Sequence, residues 1–448
     1  MTRRPRRASR RGGPLRHGAF RWLLAARTTS ILGNAAAPVA LAFAVLDLTG
    51  SAADLGLVVA ARSITNVAVL LFGGVLADRL PRTLVLVGAS LAAAATQATV
   101  AGLVLTGSAT VVSLALLSAL NGAVAAVSMP AAAAMVPETV PAELLRPANA
   151  LLRLGLNAGG IVGAAAGAGI VAAVGPGWGL AVDAAGFALA ALLFSRLRLT
   201  PPAEAAPPEP AAAAQPDPAA AEAAPPEPPP PVPRASVVAD LRTGWREFTA
   251  RRWVWVVVAQ FAVLNAAFVG ATTILGPVIA DATFGRASWG LVIAAQTAGL
   301  AAGAVLALRW RPNHALGIGV GLMAVTAVPV AALGIAPALP TLLVAFALGG
   351  VALEVFAIAW DQSLQTHIPR EALARVYSYD MVGSFVAIPL GEVLVGPLAE
   401  RFGTEATLIG CATLIVVASL AALSVASVRR LTTPSTPTPG AEPTPPIG

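Results

Sequence analysis

The sequence predicts an all-α membrane protein of twelve transmembrane helices in two parallel six-helix repeats, and three observations carry that reading. Hydrophobic residues make up 57% of the chain and charged residues only 11%, where water-soluble domains carry about 25% charge. A chain of 448 residues so poor in charge cannot cover a water-facing surface. The apolar residues also fall in long blocks, each close to the ~20 residues needed to cross ~30 Å of hydrocarbon. Finally, one loop repeats at an offset near 228 residues: Val140-Pro141-Ala142-Glu143-Leu144-Leu145-Arg146 echoes Ile368-Pro369-Arg370-Glu371-Ala372-Leu373, with Ala374 and Arg375 following. Both copies sit between the fourth and fifth block of their half, as a parallel duplication of six helices requires.

Taken in chain order, residues 1–21 form a basic tail carrying Arg3, Arg4, Arg6, Arg7, Arg10, Arg11, Arg16 and Arg21. A first six-helix bundle occupies 22–198, with spans at about 22–47, 55–77, 84–105, 110–135, 150–174 and 178–195. Residues 199–235 have no apolar periodicity and are dense in proline and alanine, the composition of a disordered tether. A second bundle fills 236–430, with spans at about 253–279, 288–308, 314–335, 339–362, 376–399 and 405–427, and 431–448 is a second disordered tail. If the N-terminus is cytoplasmic, the loops on the other side hold only Arg286 and Arg401, and nearly all remaining loop and tail arginines lie inside. The positive-inside rule therefore puts both termini and the linker in the cytoplasm.

Several function classes are excluded. All 29 basic residues are arginine, so no P-loop or Schiff-base lysine exists. Cys411 is the only cysteine, and His17, His314 and His367 lie apart, so no metal centre and no cofactor are expected. No G-x-S-x-G elbow occurs and no catalytic constellation forms, so the chain is not read as an enzyme. The arginines cluster at span ends, which topology explains better than nucleic-acid binding. Arginine in place of lysine, with abundant Ala, Gly and Pro, suits a GC-rich bacterial genome and hence a bacterial cytoplasmic membrane.

Ionisable groups inside a bilayer cost about 2.5–3.5 kcal/mol near a helix centre, so each one is a functional candidate. Glu354, Glu392, Asp380 and Asp361 are the candidates for proton coupling; the two aspartates lie near cytoplasmic span ends and also suit ties between helix termini. Arg27, Asn34, Arg62, Asn66, Asn121, Asn265 and Gln296 are candidates for a polar cavity between the halves. Arg27 also suits an anchor snorkelling to the headgroups, and the Asn and Gln side chains suit helix-to-helix hydrogen bonds. Asp183 reads as structural. Gly155, Gly159, Gly163 and Gly167, four apart, make a helix-packing ladder.

The loop Gly74-Val75-Leu76-Ala77-Asp78-Arg79-Leu80-Pro81-Arg82 resembles the signature loop of the major facilitator superfamily. That resemblance implies a cytoplasmic gating latch built on Gly74, Asp78, Arg79 and Arg82, with Pro81 and Thr83 departing from the common pattern. Phe20 to Leu80, Val136 to Leu152 and Trp360 to Leu398 are similar to the branch containing enterobactin-exporter-like and related bacterial efflux proteins. Two departures stand out: Asn34 replaces an aspartate frequent in relatives, and Ala164 replaces a proline of antiporter-type fifth helices. The resemblance implies alternating access, export of a small amphipathic cargo such as a drug-like compound or siderophore, and antiport against protons, by a monomer. Uptake or facilitated diffusion without protons, and a scaffold or sensor acting through the proline-rich linker, are the alternatives.

Overall fold

The computed structural model describes residues 13–77, 81–198, 245–310 and 312–432. The proline-rich linker, most of both tails, Asp78 and Arg79 lie outside those residues. Twelve helices are long and apolar enough to cross a membrane: Gly18–Thr49, Ala52–Val69, Arg82–Leu105, Val111–Met129, Pro147–Val174 and Pro176–Ser195, then Arg252–Ala282, Arg286–Arg309, Ala315–Ile335, Leu339–His367, Val376–Phe402 and Thr404–Ser424. They are numbered spans 1 to 12 below. They overlie the predicted spans, although span 10 continues to His367 rather than stopping near 362. No strand occurs among the described residues, as expected where every backbone polar group must be satisfied within its own segment.

The packing repeats between halves. In the first half span 1 packs on spans 5 and 6, span 2 on span 4, and span 3 on span 6. In the second half span 7 packs on spans 11 and 12, span 8 on span 10, and span 9 on span 12. Adding six to each number converts one set into the other, which is what a parallel six-helix duplication requires. Across the halves, span 2 packs on span 11 and span 5 on span 8, a pair of contacts related by the same shift.

Glycine sets how closely these helices approach. A Cβ added at Gly155 would lie 2.6 Å from Thr28 Oγ1, and one at Gly159 2.6 Å from Ile31 Cγ2; Gly163 and Gly167 press on Leu32, Ala35 and Ala36. The four glycines thus lay span 5 against span 1. The related pair in the second half uses Gly391 and Gly270, whose backbones meet between spans 11 and 7.

Three of the cavity-forming spans are interrupted midway. Span 1 breaks between Asn34 and Ala37, span 7 passes through a π turn at Ala271–Leu275, and span 11 breaks between Phe385 and Ile388. Each second segment begins with a proline at its first or second position: Pro38, Pro277 and Pro389. Proline has no N–H to give the carbonyl four residues back and crowds it, so the main-chain ladder lacks a bond at each of these points and the helix kinks or breaks there.

Candidate functional site

The breaks mark where the halves part. Beyond them, each segment adds cross-half packing to that with its own half: Ala37–Thr49 touches spans 7 and 8 besides spans 5 and 6, the π turn of span 7 touches spans 1 and 2 besides span 11, and Ile388–Phe402 of span 11 packs on span 2 besides span 7. Before them, Gly18–Asn34 packs on spans 5 and 6 and Arg252–Gly270 on spans 11 and 12; Arg370–Phe385 packs mainly on span 7. Cross-half packing is therefore concentrated at the end remote from the termini. A wedge opens toward the end that carries the termini and the linker.

At the sealed end the backbones touch. A Cβ at Gly396 would meet Ala52 and Ala53 at 2.7 Å, one at Gly56 would meet the Glu392 carbonyl, and one at Gly290 would meet Ala164 and Ala168. Arg286 of span 8 crosses to the other half: its Nη1 and Nη2 donate to Asp47 at 2.9 and 2.6 Å, and its Nε donates to Asp281 at 2.7 Å. The guanidinium also stacks 4.8 Å from the centre of the Phe43 ring. Ser51 Oγ donates to Glu400 Oε1 at 3.2 Å, another bond between the halves.

Just inside the seal lies a buried polar cluster. Glu392 is 3% exposed; its Oε1 accepts from Ser63 Oγ of the opposite half at 3.1 Å, and its Oε2 has no partner. Arg62, adjacent to Ser63, donates from Nη2 to Asn34 Oδ1 at 3.4 Å. The Arg62 guanidinium is electrostatically coupled to Glu392 across the interface and to Asp183 within its own half. Asp183 is fully buried: Gln97 Nε2 donates to one oxygen while the other is unpartnered. One guanidinium is thus coupled to two carboxylates belonging to different halves.

The remaining predicted residues divide into two groups. Asn66 donates to the Gly122 carbonyl at 3.1 Å, Asn121 to Thr96 Oγ1 at 3.5 Å and Asn265 to the Ser384 carbonyl at 2.8 Å, so each ties two spans of one half. The backbone carbonyl of Gln296 lies against Gly350. Asp380 accepts from Trp360 Nε1 at 2.9 Å and from Ser384 Oγ at 3.1 Å, and exposed Asp361 accepts from the Tyr377 hydroxyl at 3.1 Å. Glu354 is half-buried and coupled to Arg153 of the opposite half. Arg27 is half-buried, and its Nε is buried without a hydrogen-bond partner. Of the predicted latch, Gly74 lies in the helix Ala52–Ala77 and Arg82 forms an ion pair with Glu138; Asp78 and Arg79 are outside the described residues.

Three elements escaped the sequence reading. Arg153 lies seven residues after the loop arginine Arg146, one helical stripe deeper, which was its only signal. Asp47 and Asp281 flank Arg286, one of two arginines in the loops of the arginine-poor side, with an aspartate five residues before it. Ser63 carried no signal of its own, because its partner is 329 residues away. Among the described residues, no group of His, Cys, Asp or Glu could hold a metal ion.

A family model described as Major Facilitator Superfamily matches residues 23–388. No curated protein matches the sequence. Among solved structures, the nucleoside transporter NupG is similar at 14% identity and a TM-score of 0.65, covering 91% of this chain and 98% of its own. A bacterial homolog of the human lysosomal transporter Spinster matches at 14% identity and a TM-score of 0.65, covering 94% and 98%. A D-xylose-proton symporter matches at 12% identity and a TM-score of 0.63, covering 90% and 96%.

Proposed function

Because the chain belongs to the Major Facilitator Superfamily and is therefore a multi-pass transporter rather than an enzyme, we propose that it exports small amphipathic molecules by alternating access, in antiport against protons. In this reading it sits in a bacterial cytoplasmic membrane as a monomer, with both termini and the linker inside, so the open wedge faces the cytoplasm. Drug-like compounds and siderophores are the cargo classes that suit cavity walls mostly of Ala, Val, Leu and Phe with scattered polar groups, the composition of these spans. The efflux direction rests on the likeness of Phe20 to Leu80, Val136 to Leu152 and Trp360 to Leu398 to enterobactin-exporter-like proteins.

The observation that carries the proton reading is Glu392. Intramembrane carboxylates mark proton relays, and this one lies in the seal that must part for the cycle to run, with one oxygen bonded across it and the other unpartnered. Opening the far end separates Glu392 from Ser63 and Arg62 and exposes it to water there. A carboxylate whose counter-ion leaves during the cycle is placed to take a proton on one side and lose it on the other. Glu354, coupled to Arg153 across the wedge, is the second candidate.

The test is movement of a fluorescent amphipathic dye in proteoliposomes under an imposed pH gradient. Wild-type protein is expected to drive dye against the proton flow. Glu392→Gln should lose gradient-driven accumulation yet keep dye exchange at equal pH. Retention of gradient-driven movement in both Glu392→Gln and Glu354→Gln overturns the coupling role of these residues. Dye movement in the same direction as protons would instead support uptake. Shortening the linker by removing residues 203–231 should leave transport intact, whereas a scaffold would lose its partners.

A further inference from the structure

Charge is divided between the walls of the wedge. Within the spans, the first half contributes Arg27, Arg62 and Arg153, and the second half contributes Glu354 and Glu392, with Asp361 and Asp380 nearer the linker-side span ends. The exception, Asp183, is fully buried behind the wall against Gln97. Both electrostatic couplings that cross the interior have the same polarity, Arg62 with Glu392 and Arg153 with Glu354. At the sealed end the polarity reverses, since there Arg286 comes from the second half and Asp47 from the first.

Within this arrangement Arg27 stands apart. Arg62 is bonded to Asn34 and coupled to two carboxylates, and Arg153 is coupled to Glu354. Arg27 has a buried Nε with no acceptor. It shares a helix stripe with Asn34, seven residues or ~10 Å nearer the mouth of the wedge. A guanidinium can only donate, and a buried donor left unpaired is costly, so an acceptor is missing here. A purely anionic cargo would supply that acceptor but confront the carboxylates opposite. A purely cationic cargo would suit the carboxylates and leave Arg27 unpaired.

We propose that the cargo is zwitterionic: its anionic group pairs with Arg27 on the first half, and its cationic group lies against the carboxylate wall of Glu354, Asp361 and Asp380 on the second. This deepens the transport reading and rests on it. A cargo bound in that way bridges the two walls, so binding itself draws the open end together. The orientation is fixed, because the opposite one would set like charges face to face at both ends.

The experiment is equilibrium binding by fluorescence polarisation to the full-length protein in nanodiscs, without a gradient, using rhodamine B and its ethyl ester. The two dyes share a cationic ring system, and only rhodamine B also carries a carboxylate. Wild type should bind rhodamine B at least about tenfold more tightly, the scale of a hydrogen bond to a charged group. Arg27→Gln should erase the preference while leaving ester affinity nearly unchanged, and Arg27→Lys should restore part of it, which also shows that the site still folds. Equal affinities in wild type, an undiminished preference in Arg27→Gln, or binding of neither dye would each overturn the proposal. Because no gradient is present, these outcomes are independent of whether transport is coupled to protons.

Discussion

The two ends of the bundle are built by opposite rules. At the sealed end, loops are tight: glycines with positive φ at Gly50, Gly107, Gly175, Gly285 and Gly403 turn the chain between spans 1 and 2, 3 and 4, 5 and 6, 7 and 8, and 11 and 12. The halves there meet backbone to backbone, with an arginine shared by two aspartates at the rim. At the open end the loops are arginine-bearing, and the walls of the wedge present separated charge. A seal of small residues and partly exposed ion pairs holds without committing much energy, since exposed pairs are worth about 0–1 kcal/mol each. The alternating access proposed above would require this economy, because a seal rich in large interlocking side chains could not be reopened on every cycle.

Three changes would break or sharpen the contrast. The largest effect is expected from a covalent staple across the seal. Ser51→Cys with Glu400→Cys, in a Cys411→Ser background, puts thiols at two positions bonded across the seal, and a short bis-methanethiosulfonate reagent spans the reach lost when glutamate becomes cysteine. Crosslinking should abolish transport and reductant restore it; transport that survives complete crosslinking would show that this end never opens. A smaller shift should follow Arg286→Gln, which removes the paired bonds to Asp47. With both partners partly exposed, a loss of about 1 kcal/mol is expected, or roughly a fivefold rise in labelling of a reporter cysteine at the sealed end. Raising salt should produce the same rise in wild type and little further change in the variant. The smallest effect belongs to ties within one half. Asn121→Ala should lower thermal stability by about 0.6 kcal/mol, the usual worth of such a bond in a membrane, with the labelling pattern unchanged.

The fold is legible because lipid imposes a strong pattern: apolar blocks of fixed length, arginines sorted to one side, and a duplicated loop are all visible in the sequence. The spans accordingly fall where they were expected, and the pairing of spans follows from the duplication. The site was legible in part. Arg62 and Glu392 stood out because charge is rare in apolar helices, but the pairing that gives them meaning joins residues more than 300 positions apart. Asn66, Asn121 and Asn265 have the helical spacing of cavity residues, and the same spacing serves equally well to bond a neighbouring helix, which is how all three are used. Asp183 read as structural and is bonded within its own half, yet it also shares Arg62 with Glu392. The Arg286 clamp was hidden because its three members lie in separate loops and span ends, where charge is ordinary.

The mid-span prolines Pro38, Pro277 and Pro389 bear on how work is transmitted through the protein. Bending an intact helix stretches or breaks main-chain bonds, and each such bond resists strongly where no water can replace it. At these three points the bond a proline cannot make is already missing. The linker-side segments of spans 1, 7 and 11 can therefore pivot like levers on a common plane, and the resistance they feel comes from side chains sliding past one another. Motion begun at the mouth of the wedge reaches the seal without a main-chain bond being lost on the way.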